Sequence, residues 1–334
     1  MDDEYRRALI ERVKPRFHGQ ETVQSRASWN RPDSAERDYK RLMRELNIAL
    51  AAALREALPK IKAILDRRYS EMHRYDSQES DLDEIRRILE DALKGVAVLQ
   101  VMKKLEKELD LIRKSVESTA LKEWSKAVKR TLGIDLFTDY YRGDTYRQLV
   151  DQWVRDNVDL ISKIPDETVD RMRDTVFQGW YEGKSSKTIA AEMQRQYGIE
   201  RRRAELIAVD QTAKLNSQIT QYQQREAGVE EYIWSTCRDK SVRQRHRELH
   251  GKKFRWDEPP VVDVKNNRRC HPGEDYRCRC VAIPVFNTGS LDVTIQDADW
   301  NAIDERYRQR KREWAMEKRE RQKARQTAAA AKKK

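Results

Sequence analysis

The chain has 334 residues, 38% of them charged and 38% hydrophobic, with a net charge of +12 at pH 7. No apolar run approaches the roughly 18 residues of a membrane span, and the charged start MDDEYRRALI is no secretory signal. These features exclude an integral membrane protein built on helices. They predict synthesis in a cytoplasm with reduced cysteines, and a partner that is nucleic acid or an acidic surface.

The first 30 residues are mixed, with PRFHG and SWNRPD as breakers. From Ser34, Tyr39, Leu42, Met43, Leu46, Leu50, Leu54 and Leu58 recur at steps of three and four, which predicts an amphipathic helix. Pro59 is expected to kink or end it, with Ile61, Ile64 and Leu65 continuing the stripe. After the polar RYDSQESD, a helix opens at Leu82, and residues 96–132 read as one long helix stopped by Gly133. Two more follow, around Tyr146–Trp153 and Val169–Trp180. Ser185 or Ser186 caps the next, which Gly198 is expected to end, and another runs from about Arg201 to Glu226 with Gly228 as its stop.

The period then changes. Tyr232, Trp234 and Thr236 alternate with Ile233 and Ser235, and CVAIPVF forms a second short apolar run, so both read as strands. Trp234 and Ile283 are expected to share one small core. Beyond it lies a basic tail: residues 305–334 hold 13 Lys or Arg and 4 Glu, or +9 of the chain's +12. It reads as a solubilising tail or as an arm whose Arg310, Lys311, Arg312, Lys318, Arg319, Arg321, Lys323 and Arg325 meet nucleic acid or an acidic surface. The fold class is therefore mainly α: an elongated helical region over 1–184, a module over 185–287 (helices 185–227, a small α+β unit 229–287), and a partly helical basic tail over 288–334.

All four cysteines, Cys237, Cys270, Cys278 and Cys280, fall within this small unit, together with His246, His250 and His271. His246 and His250 are four apart, a spacing that on a helix can hold one metal ion. Cys278 and Cys280 would share one face of a strand with Arg279 on the other, nearly 7 Å apart, too far to chelate one ion without a bend. No Cys-x-x-Cys occurs. Three readings stay open: reduced cysteines in a small core, one structural zinc, or a disulfide. Cys, His and Asp are also the makings of a thiol enzyme or, with Asp239 and Glu248, of a metal nuclease. No nucleophile-elbow, metalloprotease or phosphate-loop pattern accompanies them, so no catalytic residue is assigned and the chain is not read as an enzyme.

The ordered pattern from IAVDQTAKLNSQ through GVEEYIWSTCRDKSVRQRHRELHG to HPGEDYRCRCVAIP resembles the phage Mu F-like minor head proteins, or phage head morphogenesis proteins. The resemblance rests on Asp210, Thr212, Asn216, Gly228, Val229, Trp234, Thr236, Asp239, Val242, Arg243, His246, Leu249, Gly251, Pro272, Gly273, Cys278, Arg279, Cys280 and Pro284, over about residues 185–287. The chain departs from the family pattern at Asp210-Gln211-Thr212, and six residues intervene between His271 and Cys278 where compact members have His-Pro-x-Cys. The resemblance implies a minor capsid protein of a tailed phage, internal to the head, assembled in the host cytoplasm without a membrane. Its implied partners are the portal protein, capsid or scaffold proteins and packaged double-stranded DNA, and its implied role is in head assembly and DNA packaging or delivery. A DNA-binding accessory or injected protein is the alternative; a nuclease or toxin-like enzyme is a third.

Overall fold

In the computed structural model the described residues are 3–70, 78–136, 143–293 and 316. The tail residues named above, Arg310 to Arg325, lie outside them. Residues 1–294 form one compact unit. Its helices are α1 (Asp3–Val13), α2 (Asp33–Ser70), α3 (Gln78–Leu93), α4 (Val96–Leu132), α5 (Asp144–Ser162), α6 (Ile164–Tyr181), α7 (Ser186–Glu226) and α8 (Gln244–Leu249). None of them is long and apolar enough to cross a membrane.

The apolar stripes read from the sequence meet in one core. Tyr39, Met43, Leu46 and Leu50 of α2 pack with Leu109 and Val116 of α4 and with Leu215 and Ile219 of α7. Two polar pairs lie inside it: Tyr39 donates to Asn157 Oδ1 at 2.6 Å, and the Trp153 indole to the Gln211 carbonyl at 3.2 Å. Neither Pro59 nor Gly198 ends its helix. Helix α2 runs through Pro59, and α7 is continuous through Gly198. A glycine inside a helix costs about 1 kcal/mol against alanine. That is less than the burial of Ile189, Met193 and Ala208 on the two sides of Gly198 returns. Across Pro59 the buried Leu54, Ala57, Ile61 and Leu65 hold one stripe against the core in the same way.

The small unit is a four-stranded sheet in the order β1-β6-β2-β3, from Thr22–Gln24, Val281–Asn287, Glu231–Ser235 and Lys253–Arg255. A two-stranded ribbon, β4 (Val261–Asp263) and β5 (Arg268–Arg269), lies beside it in sequence. Strands β2 and β6 pair antiparallel with Trp234 opposite Ala282 and Ile233 opposite Ile283. This register corrects the expected Trp234–Ile283 core: the two residues sit one position out of phase and point to opposite faces. Trp234 packs instead with Tyr232, Leu249, Trp256, Cys278, Cys280 and Ala282.

Strand β1 was not legible in the mixed N-terminal segment. It pairs with β6, Val23 opposite Phe286. Pro284, inside β6, fits because its carbonyl points to the β1 side and accepts from Ser25 N–H at 3.0 Å, where β1 has ended. The segment after β1 is tied to α4, since the buried Glu123 carboxylate accepts from the Asn30 backbone at 3.1 Å and its side-chain amide at 2.9 Å.

Candidate functional site

Helix α8 ends at Leu249, so His250 falls outside it and the expected His246–His250 pair does not form. His250 Nδ1 accepts from Thr236 N–H at 3.1 Å, a structural bond at the end of β2. His246 turns inward. Its Nδ1 lies 3.5 Å from Cys278 Sγ and 3.6 Å from Cys280 Sγ, and all three residues are buried.

The two cysteines reach one point because they are not in a strand. They occupy the irregular segment just before β6, which begins at Val281, and Arg277 at φ 53° turns the chain into it. Helix α7 holds this turn from below. Asp210, Ser217 and Gln224, seven residues apart and so on one helix face, bond in turn to it. Asp210 accepts from Arg277 N–H at 2.8 Å, Ser217 donates to the Pro272 carbonyl at 2.7 Å, and Gln224 donates to the Ala282 carbonyl at 2.9 Å. Gly273 sits directly on α7 at φ +93°, where a Cβ would come within 2.9 Å of Ser217 Cβ. Any other residue there would be strained and would push the turn away.

Gly273 N–H donates to Cys278 Sγ at 3.4 Å. The Cys278 thiol is held well below its usual range by the hydrogen bond from Cys280 and then by His246, against the cost of burial. Cys280 is pushed up by the same bond and by burial. On the far side of the imidazole, Nε2 lies 3.1 Å from Asp275 Oδ2. A carboxylate only accepts, so Nε2 carries a proton and Nδ1 faces the sulfurs. Asp275 is buried and braced by Arg243 at 2.9 Å and Arg268 at 2.9 Å.

The other candidates lie apart. Cys237 is half-buried and bonds to Asp239, whose carboxyl is lowered to about 2, chiefly by the Ser241 hydroxyl. Cys270 is also half-buried, and burial pushes its thiol up to about 12. His271 Nδ1 lies 2.9 Å from the Tyr232 hydroxyl and its ring packs on Trp256; burial pushes its pKa down. Trp234 packs edge-on against His246, with centroids 5.2 Å apart. Arg279 points away from the sulfurs, to Asp239 and Ser241. Gly251, at φ +78°, forms the turn into β3, and its N–H donates to the Trp234 carbonyl at 2.8 Å.

Sequence reasoning missed Asp275 and the α7 polar face. The recurrence of Asp210, Ser217 and Gln224 at intervals of seven was the available signal for the helix. Nothing marked Asp275, which reaches His246 only through the fold.

Cys278, His246 and Asp275 have the connectivity of a thiol nucleophile, base and orienting acid. Cys278 and His246 are each 2% exposed, and the cavity beside the sulfurs has a volume of about 20 Å³, room for about one water.

Residues 170–283 match the family described as Phage Mu protein F like protein. Over 171 residues the chain is 33% identical to an uncharacterized protein of Haemophilus influenzae, a stretch that covers 51% of this chain and 37% of the other. The chain thus spans little more than a third of the length of that curated relative. No solved structure matches the chain. The family match runs from α6 through α7 and the cysteine turn into β6 and takes in His246, Asp275, Cys278 and Cys280, so it is the segment carrying the cysteine cluster that is similar to the phage Mu F-like family.

Proposed function

We propose that the chain is a structural minor head protein of a tailed phage, held inside the capsid beside the portal, where it aids head assembly and DNA packaging or delivery. The observation that carries this reading is the family match over residues 170–283. The fold supports it in kind. The matched segment is locked onto α2 and α4 through α7 and through β6, and its chemically distinctive residues face inward, as befits a scaffold more than a turnover site. The partners follow from the same reading: the portal protein, capsid or scaffold proteins, and packaged double-stranded DNA. The virion is the expected location after assembly in the host cytoplasm.

The test is to purify proheads and virions of the phage that encodes the chain, quantify it by mass spectrometry, and cross-link it in place. Low-copy presence with cross-links to the portal is expected. Absence from proheads and virions sinks the proposal. A second reading, a DNA-binding accessory protein, is favoured by the +9 carried by residues 305–334. It predicts a main activity of sequence-independent, salt-sensitive DNA binding by the purified chain.

A further inference from the structure

We propose that His246 Nδ1, Cys278 Sγ and Cys280 Sγ bind one zinc ion, with Asp275 orienting the histidine and a water from the adjoining cavity completing the tetrahedron. The three donor atoms lie within 4.8 Å of one another. Zinc–sulfur bonds of about 2.3 Å and zinc–nitrogen bonds of about 2.0–2.1 Å at a tetrahedral angle separate sulfur from nitrogen by about 3.5–3.6 Å. The observed separations are 3.5 Å and 3.6 Å.

A chain of hydrogen bonds from Cys280 to Cys278 and from Cys278 to His246 spans similar distances, but it makes no use of the 3.6 Å approach of Cys280 Sγ to Nδ1. Nδ1 has one lone pair, and two sulfurs stand at nearly equal range from it. A metal at their common centre satisfies all three. Two thiolates also balance the charge of a divalent ion, which removes the cost of burying an isolated anion.

The outer contacts agree with this assignment. A ligating histidine commonly donates its other N–H to a carboxylate, which fixes the ring and leaves the ligating nitrogen unprotonated. Nε2 and Asp275 stand in that relation at 3.1 Å, and Arg243 and Arg268 hold the carboxylate in place. Gly273 N–H already points at one sulfur. A backbone N–H aimed at a sulfur suits a thiolate better than a thiol. The cavity of about 20 Å³ is bounded by both cysteines together with Arg31, Glu36 and Asn216, and holds about one water. Cys237, His250 and His271 each have another partner, and neither they nor the half-buried Cys270 join the three clustered donors. This inference does not depend on the role proposed for the protein in the head.

The experiment uses the full-length chain, purified under reducing conditions and incubated with zinc, then passed through a desalting column. Metal analysis is expected to give one zinc per chain. Cobalt in its place should give a tetrahedral visible spectrum with sulfur-to-metal charge transfer of the intensity of two thiolates. Cys237→Ser, Cys270→Ser and His250→Ala should keep the ion, while Cys278→Ser with Cys280→Ser should lose it. Should that double variant fail to fold, the cobalt spectrum of the unaltered chain decides. A folded chain that stays zinc-free, a double variant that keeps zinc, a Cys278–Cys280 disulfide in the zinc-treated protein, or a charge-transfer band of three or four thiolates would overturn the assignment.

Discussion

Trp124 of α4 stacks on Phe286 of β6, with ring centroids 5.8 Å apart and planes 26° apart. Both rings are fully buried, so the sheet and the helices share a wall. Trp124→Ala should destabilise the chain by about 3–5 kcal/mol, the usual cost of emptying such a site. Helix loss by far-ultraviolet circular dichroism and sheet loss by near-ultraviolet signals should move together in urea. A variant whose helices melt unchanged while the sheet melts early would show that the contact joins nothing.

Gly273→Ala should cost about 1–3 kcal/mol, because the new side chain meets both a left-handed backbone and the Cβ of Ser217. Ser217→Gly in the same chain removes the second obstacle and not the first, and also removes the bond to Pro272. Partial recovery at most is expected in thermal unfolding. Full recovery would mean that the backbone conformation at Gly273 is unstrained.

The Glu123 carboxyl is buried, which by itself raises its pKa, yet the bonds from Lys126 and Asn30 hold it below the usual value. A carboxyl with a depressed folded pKa contributes stability that is present above the unfolded value of about 4.3 and is lost as pH falls through the lower folded one. Glu123→Gln should therefore be less stable than the unaltered chain near neutral pH, and the gap should close below about pH 4. Melting temperatures of both proteins across that range check it; a constant gap rejects it.

Asp275→Asn leaves the shape of the acid but weakens its hold on His246 Nε2. Zinc affinity should fall about 10–100-fold, with one ion still bound at saturation. Competition against a chromophoric chelator measures this. Unchanged affinity would limit Asp275 to bracing Arg243 and Arg268.

Removing residues 305–334 lowers the net charge from +12 to +3. If the tail is the DNA-binding arm, that truncation should abolish most DNA affinity, and binding by the full chain should fall by about 0.9 log units per log unit of salt for each phosphate neutralised. Retention of DNA affinity by a truncated chain that no longer associates with the portal would assign the tail to the acidic protein surface.

The helices were legible because Leu, Ile, Met and Val recur at a helical period from Tyr39 to Ile219, and burial follows that period. The ends were less so. Pro59 and Gly198 are local breakers, and neither outweighs the packing on both of its sides. Strands β2 and β6 showed alternation or an apolar run, while β1 has three residues, too few to carry a pattern, and exists because Phe286 and Val285 offer it an edge. At the site, sequence narrowed the chemistry to seven cysteines and histidines. Spacing could not choose among them, because the selection is made by the start of β6 only after Cys280 and by the early end of α8.

The pairing of β1 with β6 also fixes an order of events on the ribosome. Thr288 donates to the Glu21 carbonyl across 267 residues of chain. Residues 22–24 therefore emerge long before the strand that receives them, and β2 likewise waits for β6, the strand between them. The helices can collapse on one another as they appear, whereas the sheet, and with it the cysteine turn, closes only once translation has passed residue 288. Contacts of such separation form slowly, since the loop between them must be closed first. Until β6 arrives, the wall of α4 around Trp124 lacks Phe286 and the sheet lacks a central strand.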